Sequence, residues 1–235
     1  MLTFPEKEKY TVEDLRQLVT LLRSPEGCPW DREQTHESIR RNLIEEAYEA
    51  AEAIDENDRE HLIEELGDVL LQVLFHADME EELGNFNLED VTDGTCRKLL
   101  RRHPHVFAPE PNPGVEATLA TWEAVKRTER KDSTVTGSLE AVSKTLPALW
   151  RADKLQSKAG KAGYTLASRG DIAAMLRSAA DRLDAGTGDR SLVGPLLFSL
   201  VRLAQITEVD PEDALNEENA AFIRRFKTYE SEKNK

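Results

Sequence analysis

Apolar residues recur three and four positions apart along most of this chain, and this spacing constrains the fold more than any other feature of the sequence. After Thr11 the pattern occupies Leu15, Leu18, Val19 and Leu22. Side chains at this spacing share one face of an α-helix, and Thr11 and Asp14 stand at the positions of a capping box. Alternating β-branched runs, which are typical of strands, are essentially missing. We therefore predict an all-α protein.

The same spacing predicts a series of helices separated by proline and glycine. They span residues 11–22, 35–55, 59–83, 88–102, 118–131, 148–161, 172–185, 192–205 and 211–229. The stretch 67–77 is apolar on nearly all sides, which is typical of a helix in the middle of a bundle. Asp68 and Gln72 lie within this stretch, so we expect both polar side chains to point into a core.

Two segments rich in helix-breaking or small polar residues divide the chain. Residues 108–114 contain four prolines or glycines in seven positions, and residues 132–137 are predicted to form a linker. A chain of 235 residues is long enough for two modest domains, each with its own core. We predict a first domain over residues 1–132 and a second over residues 138–235.

The two predicted domains resemble a degenerate repeat. The apolar framework of residues 67–75 recurs at residues 194–202. The acidic positions do not recur, because residues 64, 65 and 68 align with Ser191, Leu192 and Pro195. The first domain is therefore expected to carry the chemistry, and the second to be structural or regulatory.

The net charge of −14 disfavours a nucleic-acid-binding module, which depends on Lys and Arg to neutralise phosphates. No uninterrupted apolar run approaches the ~20 residues that a spanning helix needs. The N-terminus is polar and lacks the apolar region of a secretory signal. We expect a cytoplasmic protein with no membrane or nucleic-acid partner. Cys28 and Cys96 form no Cys-x-x-Cys pair and are predicted to be reduced thiols.

The acidic residues are concentrated in one segment. Residues 45–68 contain eleven carboxylates and one strong base, Arg59. Four basic residues follow within six positions: Arg97, Lys98, Arg101 and Arg102. An acidic cluster beside a basic one favours binding of a divalent cation together with an anionic ligand.

Four of these carboxylates form two pairs at helical spacing. Glu46 and Glu49 share one helix face, and Glu65 and Asp68 share a face of the next helix. Antiparallel packing of the two helices would bring all four together, which is strongly unfavourable unless a cation neutralises them. Oxygen ligands favour Mg²⁺, with Mn²⁺ as a possible substitute.

The adjacent Glu45 and Glu64 have two possible roles. Each either completes the metal shell or acts as general base on a metal-bound water. The competing interpretation is that the whole acidic segment is an ordinary solvated helix face. Asp68 argues against it, because this residue begins an almost wholly apolar stretch. A di-iron carboxylate site is disfavoured, since neither motif contains Glu-x-x-His.

Several ordered motifs together resemble the MazG family of nucleoside triphosphate pyrophosphohydrolases in its two-domain form. They are GCPWDREQT at 27–35, EEAYE at 45–49, EELGD at 64–68, RRHPHVF at 101–107 and WEAVK at 122–126. Residues 146–164 resemble the start of the family's second domain. The resemblance covers nearly the whole chain. It implies hydrolysis of a (deoxy)nucleoside triphosphate to monophosphate and pyrophosphate, and a homodimer. With the Mg²⁺ that the carboxylates predict, the expected role is nucleotide-pool house-cleaning. The short apolar helices independently suggest incomplete bundles that pair across a two-fold axis.

The resemblance also implies roles for single residues. Its metal ligands are Glu46, Glu49, Glu65 and Asp68, with Glu45 and Glu64 in support. Lys98 and Arg102 match the family's phosphate-binding residues, and Trp122 matches an aromatic residue associated with the base. Asn42 departs from the family pattern, which has a Lys there.

Trp30 is either a core anchor or a stacking platform for the base. The alternative for the whole chain is a non-catalytic helical scaffold or nucleotide sensor in which the acidic motifs bind metal without turnover.

Overall fold

The computed structural model describes residues 2–107, 134–187 and 189–233. All regular secondary structure within these ranges is helical, which confirms the prediction of an all-α protein. The chain divides into two compact units, Met1–Lys126 and Arg127–Lys235. The predicted helix 118–131 lies outside the described residues. The predicted domain limits, 1–132 and 138–235, stay a prediction.

The described part of the first unit contains a long antiparallel helix pair with shorter helices around it. Its helices are α1 Val12–Arg23, α2 Pro29–Glu33, α3 His36–Asp55, α4 Arg59–Glu82, α5 Leu88–Arg102 and α6 Pro104–Phe107. The long pair is α3 and α4, and α4 also packs against α1 and α5. His36 at the start of α3 meets His76 and Glu80 near the end of α4, so the two helices run in opposite directions.

Short polar motifs set where these helices begin. The predicted capping box of α1 is present, because Thr11 Oγ1 accepts a hydrogen bond from the Asp14 backbone and Asp14 accepts one from the Thr11 backbone. The connection from α3 to α4 is tight, and Asn57 adopts a φ of 55° in it. Asn tolerates this left-handed conformation better than most residues. Asp58 then caps α4 by accepting hydrogen bonds from the backbone of Glu60 and His61. This short turn fixes the register between the two long helices.

The core of the first unit lies where α1, α3 and α4 meet. Its buried members are Val19, Ile39, Leu74, Phe75 and Met79. Leu15, Leu70, Leu71 and Leu88 pack against them and are partly buried. Burial of each such side chain stabilises the fold by about 1.5–3 kcal/mol before conformational entropy is counted. The core therefore holds the second half of α4 firmly, and with it the register of the whole helix.

One buried ion pair joins α1 to α4 and to the loop after α1. Arg23 is 5% exposed and Asp78 is 7% exposed, and Nε of Arg23 lies 3.0 Å from a carboxylate oxygen of Asp78. The same guanidinium donates to Glu82 at 2.8 Å and to the carbonyl of Asp31 at 2.8 Å. Thr20 also donates to Asp78. Arg23 thus links α2 to the C-terminal part of α4.

The stretch 67–77 is less enclosed than its apolar sequence predicts. Gln72 is buried as expected, but Asp68 is only half-buried. Several large apolar side chains on α3 and α4 stay exposed in this single chain: Ile44, Tyr48, Ile63 and Leu66. Among the described residues α4 packs against α1, α3 and α5, and the first half of the helix is less buried there than the second half.

The described part of the second unit is a separate group of helices. They are α7 Val135–Glu140, α8 Ala148–Lys161, α9 Arg169–Asp184, α10 Arg190–Ile206 and α11 Pro211–Lys233. Amide side chains link α8 to α10, because Gln156 donates to the carbonyl of Phe198 at 2.7 Å and Gln205 donates to Asp153 at 2.8 Å. Trp150 donates to Asp210 at 3.0 Å, which ties the start of α8 to the residue before α11.

Within the described ranges, no single helix is long and apolar enough to cross a membrane. Helices α10 and α11 reach the length and hydropathy of a spanning segment only when they are taken together, and the chain bends by 105° between them.

Candidate metal centre

Three predicted metal ligands come together between α3 and α4. Glu46 and Glu49 lie on successive turns of α3, and Glu65 lies on the first half of α4. One carboxylate oxygen from each of the three lies within 4.8 Å of the others. We call these residues the three-carboxylate cluster. No other group of this kind occurs among the residues that the structure describes.

Asp68 lies beside this cluster without belonging to it. Its charge acts on Glu46, whose pKa is raised first by burial and then by the charges of Asp68 and Glu49. Like charges raise the pKa of a carboxyl group when they lie near it, so the direction of this shift agrees with Asp68 lying close to Glu46. The structure therefore brings the four predicted ligands to one region, with three of them in position to share an ion.

Glu65 is the most informative member of the cluster. It is 7% exposed, and its Oε2 atom is buried without a hydrogen-bond partner among the described residues. Its Oε1 atom lies 3.1 Å from Nε2 of His61. A buried carboxylate oxygen without a partner is costly, and a cation is the partner that would relieve the cost. The donors are all carboxylate oxygens, so the residues fit a hard divalent cation such as Mg²⁺ or Mn²⁺.

Without a cation, the Glu46→Gln variant should be more stable than the wild type at neutral pH. The raised pKa of Glu46 means that folding favours its neutral form, so its contribution to stability is present below about pH 4.5 and is lost as pH rises. An amide mimics that neutral form at every pH. In EDTA we expect the variant to melt about 2–5 °C higher than the wild type at pH 7, with a smaller difference at pH 4. Thermal denaturation followed by circular dichroism measures both differences. Equal melting temperatures at pH 7 would contradict the repulsion.

Glu45 and Glu64 lie outside the three-carboxylate cluster. Both residues are exposed, and Glu45 accepts a hydrogen bond from Nε of Arg41 at 2.7 Å. Their neighbours Glu46 and Glu65 point between the helices, and a shift of one residue turns a side chain by about 100° around the helix. Their predicted roles as general base or supporting ligand stay predictions.

The predicted substrate-binding residues have different surroundings. Lys98 and Arg102 are half-buried and one turn apart on α5, which packs against α4. Trp30 is 61% exposed on α2, so it does not anchor the core of this chain. Trp122 lies outside the described residues. Contact of any of these side chains with a nucleotide stays a prediction.

Two histidine contacts escaped prediction from the sequence. His61 lies four residues before Glu65, and this spacing on one helix face is the signal that pairs them. His76 meets His36 with their Nδ1 atoms 2.7 Å apart, and Nε2 of His36 lies 2.7 Å from Glu80. Burial, followed by the charge of His36, lowers the pKa of His76. The pair joins residues 40 positions apart, so no local pattern reveals it.

Comparison with known proteins identifies a matching family model and several relatives of similar sequence. A family model described as the MazG nucleotide pyrophosphohydrolase domain matches residues 34–107, which include the three-carboxylate cluster. The chain is 41% identical over 221 residues to "Nucleoside triphosphate pyrophosphohydrolase/pyrophosphatase MazG" of Thermotoga maritima, which covers 93% of this chain and 85% of that protein. It is 36% identical over 228 residues to "Nucleoside triphosphate pyrophosphohydrolase" of Escherichia coli K12, which covers 93% of this chain and 87% of that one.

A third relative is longer than this chain. It is the Bacillus subtilis protein YabN, which is 43% identical over 218 residues. The match covers 90% of this chain, and the chain spans only 44% of YabN. The matches to the Thermotoga and Escherichia proteins, by contrast, extend over most of both partners. The protein described here belongs to the MazG family of nucleotide pyrophosphohydrolases.

Proposed function

We propose that this protein hydrolyses (deoxy)nucleoside triphosphates to monophosphate and pyrophosphate, with Mg²⁺ held by the three-carboxylate cluster and Asp68. The observation that carries the proposal is the buried Oε2 atom of Glu65, which has no hydrogen-bond partner in the described part of the chain, while carboxylate oxygens of Glu46 and Glu49 lie within 4.8 Å of this side chain. The names of the Thermotoga and Escherichia relatives support the reaction. Mn²⁺ is the expected substitute, because it has the same charge and also accepts oxygen ligands.

The carboxylates would have two roles in this reaction, which are metal binding and acceptance of a proton. Glu46, Glu49 and Glu65, together with Asp68, would hold the cation. When bound, a divalent cation neutralises part of the triphosphate charge and lowers the pKa of a bound water. Glu45 or Glu64 would accept the proton of the attacking water, because both lie next to a ligand and neither belongs to the cluster. Attack on the α-phosphorus forms one P–O bond and breaks the bond to the α–β bridging oxygen, so that pyrophosphate leaves.

Basic and aromatic side chains would bind the rest of the nucleotide. Lys98 and Arg102 lie one turn apart on α5 and would offset the charge of the β- and γ-phosphates. Trp30 offers an exposed ring on which a base can stack, and Trp122 is the second aromatic candidate. The physiological role proposed for this activity is house-cleaning of the cytoplasmic nucleotide pool.

The catalytic unit would be the first one, within residues 1–132. Its support is that the three-carboxylate cluster lies there and that no comparable group occurs in the described residues of the second unit. On α10, the corresponding positions hold Ser191, Leu192 and Pro195, which offer no carboxylate. Residues 138–235 would then form a degenerate domain of the same kind with a structural or regulatory role.

The active form would be a homodimer. Ile44, Tyr48, Ile63 and Leu66 are exposed on the two helices that carry the ligands. Exposed apolar side chains that form a continuous patch mark an interface more often than a solvated face, and these four would contribute to such a patch. A second copy would cover them by two-fold symmetry, in which each protomer offers the same patch. A monomeric mass in sedimentation equilibrium would remove this part of the proposal.

Product analysis with labelled water tests the reaction directly. The full chain is incubated with a panel of canonical and oxidised (d)NTPs in H₂¹⁸O, with Mg²⁺ or with EDTA, and the products are identified by ³¹P NMR. We expect monophosphate and pyrophosphate only with Mg²⁺, and ¹⁸O only in the monophosphate. Diphosphate and phosphate as products would contradict the proposed cleavage. Metal binding without turnover of any triphosphate would favour the non-catalytic sensor or scaffold.

A further inference from the structure

His61 contacts the buried carboxylate of the candidate metal centre from outside the three-carboxylate cluster. Its Nε2 atom lies 3.1 Å from Oε1 of Glu65. The side chain of His61 is 34% exposed and that of Glu65 is 9% exposed, so the contact lies at the edge of the buried region. An exposed pair at this spacing would contribute little. Because Glu65 is buried, this pair is expected to contribute more than an exposed pair would.

The two oxygens of Glu65 have different surroundings. Oε1 has the imidazole of His61 beside it, whereas Oε2 is buried and has no partner among the described residues. A carboxylate turns about its last bond with little resistance. An imidazole nitrogen 3.1 Å from one oxygen favours that orientation of the carboxylate and leaves the other oxygen free for a second partner. Glu46 and Glu49 offer their oxygens within 4.8 Å of the same carboxylate.

The first turn of α4 holds His61 in place. The side chain of Asp58 accepts hydrogen bonds from the backbone N–H groups of Glu60 at 3.0 Å and of His61 at 3.1 Å. The backbone carbonyl of Asp58 accepts from Leu62 at 3.0 Å. The imidazole therefore projects from a capped turn, and its spacing of four residues places it over Glu65.

We propose that His61 is a positioning residue for the metal: it holds Oε1 of Glu65 so that Oε2 is directed at the cation shared with Glu46 and Glu49. This inference rests on the proposed function. Groups that bond to metal-ligating carboxylates orient them, and their loss typically costs about 10–100-fold in metal affinity or activity. His61 would not contact substrate or metal itself.

Three substitutions separate positioning from folding. His61→Leu removes the polar nitrogen. His61→Gln carries an amide nitrogen far enough along the side chain to reach Glu65. His61→Asn keeps an amide but is one bond too short. Glu60→Gln, on the same turn and exposed, is the matched control.

Binding of Mn²⁺ to each full-length variant is measured by electron paramagnetic resonance, and the Mg²⁺ concentration for half-maximal turnover is measured in parallel. We expect His61→Leu and His61→Asn to bind Mn²⁺ about tenfold more weakly. His61→Gln and Glu60→Gln should stay within about threefold of the wild type. The Mg²⁺ concentration for half-maximal turnover should rise for His61→Leu and His61→Asn. Turnover of these two variants at saturating Mg²⁺ should be much less affected. A purely structural role would not be rescued by Gln and lost again with Asn.

The outcomes distinguish this inference from the proposed function. Wild-type Mn²⁺ affinity in both His61→Leu and His61→Asn, with affinity lost in Glu49→Gln, would overturn the role of His61 alone. Equal weakening in His61→Gln and His61→Leu would also overturn it. A wild type that binds no Mn²⁺ would overturn the role of His61 and the metal centre together.

Discussion

Replacing Glu65 by Gln should lower Mg²⁺-dependent release of pyrophosphate by about 10³-fold, which corresponds to about 4 kcal/mol of transition-state stabilisation. The substitution keeps the shape of the side chain and removes one of the charges that would hold the cation. Glu65 is the most deeply buried member of the cluster, and one of its oxygens has no hydrogen-bond partner among the described residues, so the substitution acts at the most enclosed ligand. The fold should survive, because loss of a charge from a repulsive group relieves strain.

A colorimetric assay of pyrophosphate over a series of Mg²⁺ concentrations measures this effect. Glu52→Gln is the matched control, since Glu52 lies one turn from Glu49 on α3, is exposed and is outside the cluster. It should turn over substrate at the wild-type rate. Circular dichroism spectra of both variants should match that of the wild type. Turnover by Glu65→Gln above one tenth of the wild-type rate would show that the cluster is not the catalytic metal centre.

Replacing Arg23 by Ala should lower the free energy of unfolding of the first unit by about 3–5 kcal/mol. Asp78 is 7% exposed, and removal of Arg23 leaves its charge buried, with Thr20 as the remaining donor among the residues that the structure describes. The carbonyl of Asp31 also loses its donor, so α2 and the loop that leads to α3 lose their link to α4. The cost arises mainly from the charge left behind, because a buried ion pair as a whole contributes little.

Hydrogen exchange with mass spectrometry can read this change in α1 and α4 separately from the second unit. Arg16→Ala is the control, because Arg16 pairs with Glu13 at 2.9 Å and with Glu81 at 3.8 Å on the surface. Its loss should cost less than about 1 kcal/mol. A double variant Arg23→Met with Asp78→Leu should cost less than the sum of the single changes, since neither charge is left alone. Equal protection of α4 in Arg23→Ala and Arg16→Ala would contradict the account of the buried pair.

Local patterns in the sequence predicted most of the helices because the signals for helices are themselves local. The capping box at Thr11 and Asp14 shows this, since both partners lie within one turn. Two helices of the second unit begin a few residues before their predicted starts, because local capping residues set where they begin. Helix α9 begins at Arg169 rather than residue 172, because Ser168 and Asp171 form a capping box. Helix α10 begins at Arg190 rather than residue 192, because Asp189 caps it.

The candidate site was predictable to the level of helix faces. Spacing placed Glu46 with Glu49, and the structure adds that Glu65 joins them while Asp68 lies beside them. Which oxygen stays without a partner depends on burial, and burial depends on packing between segments. The link from Arg23 to Asp78 spans 55 residues and is set by the same packing. No local pattern carries that information.

The surroundings of a residue also decide between interpretations that the sequence leaves open. Trp30 matched both a core anchor and a stacking platform, and its exposure in this chain removes the first. The apolar stretch 67–77 suggested complete enclosure, whereas only its later part is well buried in one chain. Sequence records that a segment is apolar, but it does not record whether the same chain or a second copy covers it.

Diffraction from crystals soaked in MnCl₂ tests the central claim most directly, because anomalous scattering locates the metal without reference to activity. We predict an anomalous peak between the carboxylates of Glu46, Glu49 and Glu65, with Asp68 beside it. Glu65→Gln crystals treated in the same way should lack the peak. A peak elsewhere, or none at this position in crystals of a protein that turns over triphosphates with Mn²⁺, would contradict the assignment of the metal centre to the α3–α4 pair.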